Sequence, residues 1–92
     1  GGETMGLITK TEMEADIKLH EIKGMEAIKV SDVRIGTVVR LYVHARHRKA
    51  TVTAIDLEED GNLTFHLDVN DGYDWPTLPL DPEDYWAHYP NR

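Results

Sequence analysis

The chain of 92 residues has no cysteine and a single phenylalanine, and its 10 lysines and arginines are outnumbered by 17 aspartates and glutamates. Without cysteine there is no disulfide, no thiol nucleophile and no thiolate zinc site. Apolar runs are only a few residues long, far short of the roughly 20 that a membrane-spanning helix requires. No basic stretch followed by an apolar one opens the chain, so no secretory leader is read. The expectation is a cytoplasmic protein, with the nucleus as the alternative. These residues suffice for one domain and are too few for a doubly wound nucleotide fold or a β/α barrel. A glycine-rich phosphate loop, a nucleophile elbow and a Ser/His/Asp series are all missing. The paired carboxylates (Glu58, Glu59 and Asp60; Asp81, Glu83 and Asp84) sit in turn-like stretches, where acids are expected on backbone grounds. The resulting expectation is a protein without enzymatic activity, metal or cofactor.

What is present is a folded-domain composition, 40% apolar, with an uneven charge distribution. Residues 1–27 hold six acids and three bases, a net −3. Residues 28–55 set Asp32 against Lys29, Arg34, Arg40, Arg46, Arg48 and Lys49, a net +5. Residues 56–92 carry ten acids and Arg92 alone as a base, a net −9. Adjacent strands of opposite sign attract each other, so part of this asymmetry is self-complementary. The remainder leaves an acidic flank suited to a cationic partner and a basic stretch suited to phosphate.

Gly1-Gly2-Glu3-Thr4 ahead of Met5 reads as a tag remnant, with Met5 as the natural start. Over residues 11–23, Thr11 and Glu14 have the spacing of a capping box, and Gly24 is placed as a C-terminal stop. Ala15, Leu19 and Ile22 fall on one helical face, yet Met13, Ala15, Ile17 and Leu19 also alternate as in a strand. The Glu, Met, Ala, Lys and Leu content favours the helix. Residues 1–27 are therefore read as an N-terminal appendage, helical or flexible, able to dock on a partner or on a second copy. Residues 28–92 are read as a small β-barrel domain.

From Ile28 the pattern becomes β. Ser31 to Gly36 is a lead-in, and Thr37–Val43 is rich in β-branched and aromatic residues. His44–Lys49 reads as a polar, basic loop. Ala50–Leu57 alternates, with Val52 and Ala54 on one face. Gly61 supplies the turn of a β-hairpin, after which Leu63, Phe65, Leu67 and Val69 point inward. Asn70 to Pro76 is a second turn leading to a short aromatic segment, and Pro76, Pro79 and Pro82 exclude a central strand between them. Asp81-Pro82-Glu83-Asp84 has the marks of a helical turn that would deliver Tyr85 and Trp86 as a plug.

Short strands at intervals of roughly 12 residues, joined by tight turns, suggest a five-stranded barrel that is mainly β. Over residues 31–86 the chain resembles the SH3-like small barrels, and among them the Tudor-like group. The resemblance rests on the glycine-led first strand (Ile35-Gly36-Thr37-Val38-Val39) and the Ala50-Thr51-Val52-Thr53-Ala54-Ile55 second strand. It continues through the glycine hairpin, the aromatic third strand and the Asp/Gly turn before Trp75. It implies a peptide-binding module whose aromatic side chains enclose a methylated cation through cation–π attraction, aided by a carboxylate. The positions matching that pattern are Tyr42, Phe65, Tyr73 and Trp75, with Asp71 and Asp74 as the acidic wall. Phe65 alternates with Leu63 and Leu67 and so also reads as core. The ligand-binding rim is accordingly assigned to Tyr42, Tyr73, Trp75, Asp71 and Asp74, facing a protein or peptide partner. Where this group usually has an aromatic after the first strand, the chain has His44-Ala45-Arg46-His47-Arg48-Lys49.

Two other constellations compete. Arg46, Arg48 and Lys49 could meet phosphates, with Tyr42 stacking on a base, which is the alternative reading of nucleic-acid association. His44, His47, His66 and Asp68 together suggest metal ligands, but their spacing is loose for a structural site. No membrane partner is indicated, and the chain is expected to be a monomer or a weak homo-oligomer.

Overall fold

The computed structural model describes residues 7–90, so the tag-like residues 1–4 lie outside it. Thr9 starts the helix α1 (Lys10–Leu19). Its hydroxyl accepts from the Glu12 N–H (3.1 Å), and the Glu12 carboxylate accepts from the Thr9 N–H (2.9 Å). The capping box is thus two residues earlier than the Thr11/Glu14 pair, because the sequence holds two overlapping Thr-x-x-Glu spacings. The earlier box buries Met13 and Ile17, spaced i, i+4, and leaves Ala15 and Leu19 exposed. Gly24 is not the cap. Glu21 takes the left-handed conformation (φ +52°), with its N–H on the Lys18 carbonyl and the Ile22 N–H on the Ile17 carbonyl, a Schellman ending.

Six strands form one antiparallel sheet: β1 (Glu26–Lys29), β2 (Val38–Val43), β3 (Arg46–Leu57), β4 (Leu63–Asp68), β5 (Trp75–Pro76) and β6 (Tyr85–His88). Their order is β1-β6-β2-β3-β4-β5, and the sheet is not closed into a barrel among the described residues. The molecule is mainly β as expected, but it has six strands in an open sheet where five in a closed barrel were anticipated. Strand β1 straddles the 27/28 boundary read from the sequence, and α1 packs against β1 and β6.

Two more expectations change. His44–Lys49 is not a loop: only His44 and Ala45 turn, at φ +55° and +63°, and Arg46–Lys49 pair with Arg40–Val43. Left-handed φ at both central residues is the geometry of a tight two-residue hairpin, which usually recruits Asn-Gly. Asp81–Asp84 does turn, the Asp84 N–H bonding the Asp81 carbonyl (3.0 Å), but Tyr85–His88 then runs as a strand between β1 and β2.

The hairpin around Gly61 is formed as read, with Gly61 at φ +89° and the Glu58 N–H on the Asn62 carbonyl. A register shift between Val52 and Ala54 inserts one extra residue in β3. Val52 and Ile55 therefore face the core opposite Leu67 and Phe65, while Ala54, paired with His66, turns to the other face. This overturns the simple alternation of Val52 with Ala54.

The sheet separates two apolar clusters. Val30, Val33, Val39, Ala50, Val52, Phe65, Leu67 and Val69 form the main one, where the Phe65 and Trp86 rings meet edge-on at 5.4 Å. Met13, Ile17, Met25 and Ala87 form the smaller one beneath α1. Strand β6 serves both, giving Trp86 to the first and Tyr85 and Ala87 to the second. No helix among the described residues is long and apolar enough to cross a membrane.

Candidate functional site: an aromatic and acidic rim

The segment between β4 and β5 is built by local hydrogen bonds that an Asn/Asp/Gly-rich sequence can supply. The Asp68 carboxylate accepts from the Asn70 N–H (2.9 Å), and Asn70 and Gly72 both take positive φ (+63° and +83°). Asp71 then accepts from the Tyr73 N–H (3.0 Å) with one oxygen and from the Trp75 indole N–H (2.8 Å) with the other. Burial would raise the Asp71 pKa, but these two donors and nearby Arg48 outweigh it and leave the carboxyl below its ordinary value. Asp71 is thus a positioning group that fixes the plane of the Trp75 ring.

Tyr73, Asp74 and Trp75 border a hollow of about 290 Å³, and His44 closes it from the β2–β3 turn. The His44 ring stands edge-on to Trp75 at 5.6 Å, the two planes 89° apart. Tyr73 is 71% exposed, so its ring is available to a ligand. The left-handed turn at His44 and Ala45 costs roughly 1–2 kcal/mol per residue. That conformation presents the imidazole to the hollow.

Asp74 has a second role. His66 on β4 donates to it from Nδ1 (2.8 Å), while Nε2 meets Asp56 of β3 (2.8 Å). The hydrogen bonds to Asp74 and Asp56 raise the His66 pKa, with desolvation opposing them. Three segments are thereby tied across the outer face of the sheet.

Of the rim residues read from the sequence, Tyr73, Asp74 and Trp75 converge, and Asp71 stands behind them. Tyr42 does not join them. Its ring lies edge-on to His47 at 4.9 Å, and it borders a different hollow of about 340 Å³ together with Ile8, Met13 and Arg40. His44 takes the place expected of an aromatic at this end of the sheet. Phe65 is fully buried, consistent with core.

The basic residues do not form one patch. Alternation sends Arg46 and Arg48 to one face of β3 and Lys49 to the other. Arg48 reaches the Val69 carbonyl (3.4 Å), while Lys49 sits 4.8 Å above the Tyr89 ring. The four candidate metal ligands also separate: His44 lies on Trp75, His66 between two aspartates, Asp68 on Asn70, and His47 against Tyr42 and His20. Among the described residues no group of three or more such side chains converges to hold a metal ion.

The sequence reading missed His66 and His44 as parts of this site. A signal for His66 existed: Asp56 and His66 sit on strands flanking the Gly61 turn, so one hairpin register faces them together. Comparison with protein-family models, curated proteins and solved structures returned no match to this chain, and the functional reading rests on its own chemistry.

Proposed function

We propose that the chain is a non-catalytic binding module of the SH3-like, Tudor-like kind, taking a cationic side chain of a protein partner between Tyr73 and Trp75. The observation that carries this reading is that Tyr73 and Trp75, with Asp74 between them in the chain and His44 opposite, border one small hollow. Aromatic faces attract a bulky, weakly hydrated cation, and each exposed ring supplies roughly 0.5–1 kcal/mol. Two rings therefore supply about 1–2 kcal/mol, less than the roughly 4 kcal/mol of a millimolar site, which suits one contact within a larger interface.

The test is a titration of the isotope-labelled chain with a peptide carrying one trimethyllysine, and with its unmodified counterpart. Saturable shifts at the Tyr73 ring and the Trp75 indole, larger for the methylated peptide, are expected. Unmoved signals at both residues with both peptides would remove the reading. Tyr42, which borders another hollow, is expected to stay unperturbed.

A further inference from the structure

His66 makes its two short contacts through both ring nitrogens, each 2.8 Å from a carboxylate oxygen. A neutral imidazole has only one N–H, so one contact would set a lone pair against a carboxylate; only the imidazolium donates to both. One of the two acceptors belongs to Asp74, a residue that also borders the aromatic hollow, so its charge acts on both. The same charge cannot be fully compensated by His66 and fully available to a ligand.

Resting on the cation-binding reading above, we propose that His66 gates the rim: its imidazolium neutralises Asp74, and loss of the ring proton frees that carboxylate for a cationic ligand. Every charged group placed around the ring is consistent with this. Asp56 faces it from β3, and Asp74 from the segment leading into β5. Pro76, its register partner on β5, is uncharged. On β4 itself Asp68 lies two residues along, occupied with the Asn70 N–H, and the Thr64 hydroxyl is bonded to Glu58 (2.7 Å). Across the hollow stands His44. Among the described residues the charged groups in contact with the ring are thus both carboxylates, and they favour the protonated, closed gate at low pH. Binding and protonation compete for one carboxylate, so the coupling is reciprocal: a bound cation must lower the His66 pKa by the factor through which proton loss tightens binding.

The experiment uses the full chain and a peptide with one trimethyllysine among neutral residues, with Kd and the histidine titrations read by NMR. For the unaltered chain, binding tightens by about three- to tenfold between about pH 5.5 and pH 8.5, and saturating peptide lowers the His66 midpoint correspondingly. His66→Gln keeps an amide donor without the charge; it should bind at the tight, high-pH value with no slope across that range. Asp56→Asn leaves the hollow intact but removes one of the two negative charges that favour the imidazolium, so the transition moves to lower pH. His44→Gln, which alters the hollow itself, retains the slope. A flat Kd in the unaltered chain, or an unchanged slope in His66→Gln, overturns the gate while leaving cation binding standing. No binding at any pH overturns the cation-binding reading, and the gate with it.

Discussion

His66 and His47 sit on neighbouring strands, and their surroundings drive them in opposite directions. His66 lies on the outer face, between the carboxylates of Asp56 and Asp74, and its pKa is raised. His47 faces α1, where its Nδ1 is buried without a hydrogen-bond partner. Desolvation, with Arg40 and His20 adding to it and Asp16 opposing, lowers its pKa. Strand position decides neither case. Both rings turn away from the main core, to the same face of the sheet. What differs is the company: two acids at the β3–β4–β5 end, and under α1 a guanidinium, 13% exposed, whose ion pair with Asp16 (2.6 Å) leaves its Nη1 buried and unpaired. The cluster around His66 is polar and hydrogen-bonded. The contact under α1 is apolar, with two unsatisfied nitrogens beneath it, each a cost of roughly 1–3 kcal/mol. Met13, Ile17, the Arg40–Asp16 ion pair and the Tyr85 N–H on the Ile8 carbonyl hold the helix, against a penalty that solvent entry would relieve.

Separating the two patches by mutation gives the largest effect. Met13→Ala with Ile17→Ala removes both buried side chains of α1, at about 2–5 kcal/mol each. The helix should detach, and the His47 pKa should rise toward its ordinary value of about 6.5. The His66 titration should not move. Amide exchange over residues 10–19 and histidine NMR read both outcomes; a shifted His66 would show that the two patches are not independent.

The second effect is a pair of opposite pH slopes. The raised His66 pKa means that the clamp's contribution is fully present below about pH 6.5 and is lost as pH climbs through the folded-state value. The lowered His47 pKa works the other way: helix docking weakens as pH falls from about 6.5 toward the folded-state value. His88, also lowered by burial, adds to the second slope in any global measurement. Local probes are therefore needed. The Trp75 indole should lose protection as pH rises and the α1 amides as pH falls, after correction for intrinsic exchange.

Smaller effects test the backbone of each region. Ala45→Gly relieves one left-handed residue beside the rim and should stabilise the protein by about 1 kcal/mol in urea unfolding. Glu21→Gly does the same at the end of α1 and should contribute about 0.5–1 kcal/mol. Both should leave the two histidine titrations where they are.

The elements that were legible in the sequence are those whose signal is local. The Gly61 hairpin carries its turn residue and clean alternation of Leu63, Phe65, Leu67 and Val69, and the structure follows it. Tyr73, Asp74 and Trp75 could be grouped because they are consecutive. The β2–β3 hairpin was hidden because His44-Ala45 stands where Asn-Gly is usual, so basic strand residues looked like a loop. That hidden turn is also why Tyr42 was expected at the rim and His44 was not. Strand β6 was missed because it is covered on both faces: with Trp86 packed on one side and Tyr85 and Ala87 on the other, no polar alternation survives. The His66 clamp joins residues from three segments, and only the Asp56–His66 half follows from one hairpin.

One measurement bears most directly on the claim that a charged histidine holds the acidic rim. A single long-range proton–nitrogen NMR titration of the imidazoles, from about pH 5 to 9, follows His66 and His47 in the same sample. A His66 midpoint above about 6.5 is expected, with both ring nitrogens protonated at lower pH, and a His47 midpoint below it. A His66 midpoint at or below that of His47 would contradict that claim.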